Sequence, residues 1–201
     1  MATVSPLDTE EMIEAMRIAL ERREEDLRRG YASIQTIARD LLFFTMAINT
    51  GLRPSDLIKL PADINFWAGN TFRVKMQKTS QYTEVGIGGS LRDALDHYFE
   101  VHENIGEFLF YSTIGGTHNN GGHVTRQWCW DFFKKWSARA NIVGRFGGTT
   151  GRRTCATFIY LTTGKIEYAQ AILGHKDSAT TLRYIRVIQE QALKYQGAIS
   201  L

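Results

Sequence analysis

Residues 172–187 read ILGHKDSATTLRYIRV, a glycine–histidine pair followed by a tyrosine nine positions after the histidine. Helical patterning runs over Ile166–Leu173, so Gly174 and His175 come just past a helix end. Packing alone does not call for a histidine and a tyrosine arranged in this way. Whether Tyr184 packs or reacts depends on what the rest of the chain brings to it.

Working back toward the N-terminus, helical patterns cover Arg153–Thr163, Val124–Ala140 and Leu91–His102. A tail helix is expected from about Val187. The run LLFFTMAI within Ser33–Asn49 is apolar on too many faces for a surface helix and is expected to be buried. Gly51 stands where that helix should stop, and Pro54 suits the first turn of another short one. The opening segment is a further helix, with Asp8 and Glu11 as an approximate capping pair. Its charged continuation ERREEDLRR is expected to be solvated. Between Asp63 and Ile87 the pattern changes to INF, the turn WAGN, TFRVKM and TEVGI, which predict three short antiparallel strands. The link QKTSQY joins the last two, and STIGGTHNNGGH is a glycine-rich loop. The expected fold is mainly α with a small three-stranded antiparallel sheet.

The composition is that of a soluble globular chain. Of 201 residues, 43% are hydrophobic and 22% charged, enough to build a core without covalent staples. Cys129 and Cys155 form no C-x-x-C pair and read as reduced core thiols. No stretch has the apolar length to span a bilayer. MATVSPLDTEEM lacks the blocks of a secretory signal, so a cytoplasmic location is expected. The net charge of +3 hides an asymmetry. Residues 1–104 carry 12 Lys and Arg against 16 Asp and Glu, whereas residues 105–201 carry 12 against 5. The second half is either a solvated basic face or a surface for a polyanion, with nucleic acid the leading candidate.

Five polar residues sit where structure alone would not put them. Arg53 follows the Gly51 stop in TGLRPSDL, Lys78 lies in the turn MQKTSQY, and Arg152 opens the helix of TTGRRTCATFIY. His175 and Tyr184 complete the set. Guanidinium forks match the non-bridging oxygens of a phosphate under attack. A lysine can protonate a departing 5′ oxygen, a histidine can donate to the phosphate or assist proton transfer, and a phenol can attack. Two guanidiniums supply the charge that Mg²⁺ would otherwise bring, so no metal or other cofactor is expected.

These stretches resemble the sequence boxes of the tyrosine recombinase (phage integrase) family. TGLRPSDL is similar to that family's first arginine box, RRTCAT to its second, and LGHKDSATTLRY to the box that holds the histidine and the nucleophile. The intervals of 99, 23 and 9 residues between Arg53, Arg152, His175 and Tyr184 also fit. The similarity runs over roughly residues 8–190. It implies a single catalytic domain over 1–201, without an N-terminal DNA-clamping domain in this chain. It also implies double-stranded DNA as partner and a homo-tetramer assembled on it.

By this resemblance Tyr184 would form a 3′-phosphotyrosyl link and release a 5′-hydroxyl. Arg53 and Arg152 would clamp the scissile phosphate, His175 would donate to it, and Lys78 would be the general acid. Asp56 stands where the family places an acidic buttress for the first arginine. Two positions depart from the pattern: Thr149 replaces the usual histidine three residues before the second arginine, and Arg153 follows that arginine where histidine is common. Threonine can donate one hydrogen bond but cannot shuttle protons as imidazole does. The expected function is site-specific DNA recombination. A type IB topoisomerase-like strand transferase and a catalytically weakened DNA-binding accessory protein are the alternatives.

Other candidates have weaker support. Lys75, three residues before Lys78, competes for its role. Arg126, Lys134, Lys135 and Arg183 are expected to contact DNA phosphates. His97, His102, His118 and His123 are expected on the surface or in loops, and they lack the carboxylate or thiolate partners of a metal site. Trp128, Trp130 and Trp136, at helical spacing in RQWCWDFFKKW, are read as core rather than base-stacking residues.

Overall fold

In the computed structural model, residues 4–7, 9–102, 106–112 and 122–185 are described, the side chain of Arg183 excepted. The chain opens with α1 (Glu10–Glu21) and α2 (Glu24–Arg28), followed by the long α3 (Ile34–Thr50) and the short α4 (Pro54–Leu57). A hairpin of β1 (Thr71–Lys75) and β2 (Tyr82–Gly86) leads to α5 (Gly89–Val101). The second half is helical: α6 (Arg126–Arg139), α7 (Thr150–Thr163), α8 (Ile166–Leu173) and α9 (Ser178–Ile185).

The helix α3 lies at the centre, as its apolar run requires. Ala38, Leu42, Phe43, Phe44, Met46 and Ala47 are all buried. It packs against α1, α5 and α7. Phe43 meets Phe110, Trp128 and Phe132 edge-on, with ring centroids 4.8–5.2 Å apart. At the crossing of α3 and α7 only glycine fits. A Cβ on Gly151 would stand 2.5 Å from Ala47 Cβ and 2.9 Å from its backbone carbonyl. A smaller cluster of Ala156, Ala169, Leu173 and Ile185 joins α7, α8 and α9.

Several expectations change here. The sheet among the described residues has two strands, β1 and β2, paired antiparallel from Thr71↔Gly86 to Lys75↔Tyr82. INF is not the third strand; it lies in a 3-10 turn, Ile64–Trp67. Asp63 Oδ1 accepts from the Asn65 N–H at 2.9 Å, which starts the turn. Trp67 is buried while Ile64 is 59% exposed, so the segment does not bury alternate residues as a strand would. The cap of α1 is Thr9, whose hydroxyl accepts from Met12 N at 3.2 Å; Asp8 lies outside the described residues. The charged run after α1 is not wholly solvated. Arg23 is buried, paired with Asp40 at 2.8 Å and stacked on Trp136 at 4.6 Å. Buried Arg39 shares the same carboxylate, and the Arg23–Asp40 pair ties the start of α2 to α3. The helix α7 begins three residues earlier than the sequence pattern suggests, and the tail from Val187 lies outside the described residues.

Candidate active site

Each candidate side chain is delivered by the end of an element. The helix α3 stops at Gly51, whose backbone is left-handed at φ 61°. A Cβ there would be strained, and it would also lie 2.7 Å from Ile172 Cγ2. Arg53 follows two residues later as the N-cap of α4. The link between β1 and β2 carries Lys78, and the first turn of α7 carries Arg152. The helix α8 ends on left-handed Gly174, which turns the chain at His175. Tyr184 lies near the C-terminal end of α9.

These ends meet at one cleft of about 920 Å³. Arg53, Lys78, Thr149, Arg152, His175 and Tyr184 all line it, with Arg126 and Trp130 on its α6 side. Lys75 lines a separate hollow with Asp56, Lys59 and Arg73. The structure therefore brings Lys78 rather than Lys75 together with the two arginines.

Arg152 is buried, and two backbone carbonyls anchor it. Its Nη1 donates to Gly51 O and its Nη2 to Leu173 O. One guanidinium thus ties the end of α3 to the end of α8. Burial pulls it below the ordinary guanidinium value, with Arg53 adding to that and Tyr184 and Asp56 opposing it. Arginine stays charged through such a shift. Burial holds the Tyr184 phenol above its ordinary value, against the pull of Arg152, Arg153 and Arg53. Proton loss is thereby costly until the group reacts. His175 is pushed down by burial and by Arg152, Arg53 and Lys78, with Asp177 opposing. It is therefore neutral near pH 7.

Arg153 is buried beside Tyr184 and does not line the cleft: its guanidinium carbon lies 4.1 Å from the tyrosine ring centre, and Nη1 donates to Tyr184 O. Asp56 is buried, and its Oδ1 accepts from the Gln77 N–H at 2.9 Å. No hydrogen bond or ion pair links it to Arg53 among the described residues; it holds the Lys78 link to α4 instead. On α6, exposed Arg126 lines the cleft, while Lys134 and Lys135 are exposed on the same helix away from it. The Arg183 side chain lies outside the described residues.

The aromatic and histidine readings need correction. Trp136 is buried and Trp128 packs into the Phe43 cluster, but Trp130 is 41% exposed. It lies over the Gly147–Gly148 backbone at the cleft wall. His102 is not a surface residue: it is buried and stacked on Tyr98 at 4.0 Å, with Nδ1 2.8 Å from Tyr98 O. His97 is exposed, His123 is half-buried, and His118 lies outside the described residues. Among the described residues no three His, Cys, Asp or Glu side chains cluster as metal ligands, and no helix is long and apolar enough to cross a membrane.

Known proteins are similar to this chain in sequence and in fold. The Phage integrase family model matches residues 14–191. Tyrosine recombinase XerD of Staphylococcus haemolyticus is 28% identical over 189 residues, covering 92% of this chain and 59% of that protein. Its counterpart in Staphylococcus saprophyticus is 28% identical over 160 residues, covering 78% of this chain and 52% of that one. The chain therefore spans just over half the length of these curated relatives. XerH site-specific recombinase, solved as a post-cleavage complex with palindromic difH substrate, superposes with a TM-score of 0.75. It is 19% identical, and the match covers 98% of this chain and 54% of XerH. A lambda integrase dimer bound to a COC′ core site gives a TM-score of 0.63 at 18% identity, over 91% of this chain and 59% of that one. With its arginines, histidine and tyrosine gathered at one cleft and nearly its whole length matched, the chain belongs to the phage integrase family.

Proposed function

We propose that this chain is the catalytic domain of a site-specific recombinase that cuts and rejoins duplex DNA through a 3′-phosphotyrosyl intermediate on Tyr184. The observation that carries this reading is the convergence of Arg53, Lys78, Arg152, His175 and Tyr184 on one cleft. XerD and XerH, which are similar to this chain, are named as recombinases, and XerH was solved with a DNA substrate.

In this mechanism the Tyr184 oxygen attacks the scissile phosphorus and its proton leaves to solvent in the open cleft. The bond from phosphorus to the 5′ oxygen breaks, and Lys78 gives that oxygen a proton. Arg53 and Arg152 face the non-bridging oxygens, where charge builds in the transition state. One phosphate ester replaces another, so a 5′-hydroxyl from a second strand can reverse the step without an energy source. Exchange between two duplexes cuts four strands in all. One Tyr184 per chain then calls for four copies on the DNA. Arg126 at the cleft wall, with Lys134, Lys135 and Arg183, contributes further phosphate contacts.

The test is covalent capture from a randomised pool of nicked duplexes, recovered after denaturation and sequenced. Wild-type protein is expected to retain a DNA strand on the peptide that contains Tyr184, and Tyr184→Phe to retain none while still binding. An adduct on Tyr184→Phe overturns the assignment of the nucleophile. Binding with no adduct from wild-type protein favours the accessory reading, to which Thr149 gives support. Plasmid relaxation without strand exchange favours the topoisomerase-like one.

A further inference from the structure

Thr181 lies three residues before Tyr184 on α9 and is fully buried. Its Oγ1 stands 3.1 Å from His175 Nδ1 and 3.4 Å from the Asp177 carbonyl oxygen. A hydroxyl has one proton to give, and three other helical threonines in this chain give theirs to the preceding turn. Thr50, Thr154 and Thr163 donate to the carbonyl four residues back at 2.7, 3.0 and 2.6 Å. Thr181 has the same carbonyl in reach only at a stretched distance, and an imidazole nitrogen closer by. The shorter partner is the better acceptor.

The imidazole is held in place to receive that proton. The His175 backbone N–H donates to Gln170 O at 3.2 Å, and Gln170 Nε2 donates to His175 O at 3.1 Å. The ring meets Tyr184 edge-on, with centroids 5.4 Å apart. A neutral imidazole carries a single N–H, and the bond at one nitrogen decides where it sits.

We propose that Thr181 is a positioning residue that locks His175 in the tautomer protonated at Nε2, so that its N–H is available to the scissile phosphate in the cleft. This rests on the DNA-cleavage reading for its purpose but not for its geometry. The charged groups acting on His175 are Arg152, Arg53, Lys78 and Asp177, with Tyr184 packed beside it. None of the three cations can accept a proton from Nε2–H. Both Asp177 carboxylate oxygens accept from Thr180, and no hydrogen bond reaches Nε2 among the described residues, so the substrate is left to supply its acceptor.

The experiment is ¹⁵N spectroscopy of histidine-labelled full chain at neutral pH, with the His175 signals assigned by their loss in His175→Gln. Wild-type protein is expected to show a protonated Nε2 and a bare Nδ1. Thr181→Ser should keep this pattern, and Thr181→Val, which removes the hydroxyl and keeps the shape, should lose it. In single-turnover cleavage Thr181→Val should be slower by about tenfold or more with DNA binding unchanged, as expected for a lost transition-state donor, while Thr181→Ser recovers the rate. A wild-type spectrum with the proton on Nδ1 overturns the proposal even if Thr181→Val does not fold, and so does a Thr181→Val variant that keeps both tautomer and rate. Absence of any wild-type adduct would instead sink the cleavage reading and leave the tautomer result standing.

Discussion

Arg153 grips Tyr184 twice, with its guanidinium 4.1 Å from the centre of the phenol ring and one N–H donating to the tyrosine's own carbonyl oxygen. The residue that departs from the family pattern next to the second arginine therefore orients the candidate nucleophile. Arg153→Ala should slow single-turnover cleavage by about 10²-fold, the scale of a misplaced reacting group. DNA affinity and its salt dependence should hardly change, because Arg153 does not line the cleft. Arg153→Lys should recover little, since an ammonium offers no flat face to stack. Equal losses in affinity and rate would show that Arg153 contacts DNA directly.

Arg53 and Arg152 should separate in a thermal melt although both slow cleavage by orders of magnitude. Arg152→Ala leaves the buried Gly51 and Leu173 carbonyls without their donor, at about 1–3 kcal/mol each. Its Tm should fall by several degrees, given roughly 2–4 °C per kcal/mol for a domain of this size. Arg53 is half-buried and its guanidinium makes no hydrogen bond or ion pair among the described residues, so Arg53→Ala should leave Tm nearly unchanged. A larger Tm loss from Arg53→Ala would reverse this assignment.

Thr149→His should raise, or at least preserve, the cleavage rate near neutral pH. Thr149 lines the cleft and precedes α7 without making a side-chain capping bond, so replacing it sacrifices no cap. An imidazole there adds a donor and a proton carrier, worth about 10²–10⁴-fold where proton transfer limits the rate. Single-turnover assays of both proteins decide the sign. A marked loss of rate with folding and binding intact would show a site built around threonine.

Stability should depend on pH through His175. Its pKa in the folded protein is depressed by burial and then by the neighbouring cations. Below about pH 6.5 the unfolded chain takes up a proton that the folded chain resists. The stability is therefore complete above that pH and declines on acidification toward the folded value. His175→Gln removes this proton uptake. Urea unfolding at pH 7.5 and 5.5 should show wild-type protein losing more stability than the variant. A variant that is the more acid-sensitive of the two would contradict the direction of the shift.

Much of the site was legible because short local signals frame it. Gly51 and Gly174 mark helix ends in the sequence, and each does so at a left-handed backbone in the structure. The residues that follow them, Arg53 and His175, carry chemistry that a bare turn does not need. The third strand was misread because apolar letters do not distinguish a strand from a turn nucleated by Asp63. The mostly polar SATTLRY of α9 offers little apolar periodicity, although Asp177 Oδ1, accepting from Thr180 N at 2.7 Å, is the capping signal that marks its start. Three tryptophans on one helix look alike in sequence, and only the position of the Gly147–Gly148 turn leaves Trp130 at the cleft. Arg23 is covered by Asp40 and Trp136 and Arg39 by Trp128, partners distant in the chain that no local pattern reveals.

The contact of Gly151 with Ala47 has a consequence for how such a chain can change over time. Where two helices touch through peptide atoms, their separation is fixed by a spacer that no side chain elsewhere can lengthen or compress. Arg152 is the next residue after one side of that spacer, and Arg53 lies six residues past the other. The gauge of the arginine pair is thereby set by the main chain, and the apolar residues around it are left to drift together in composition. A fold shared at 19% identity is what such a division of labour permits.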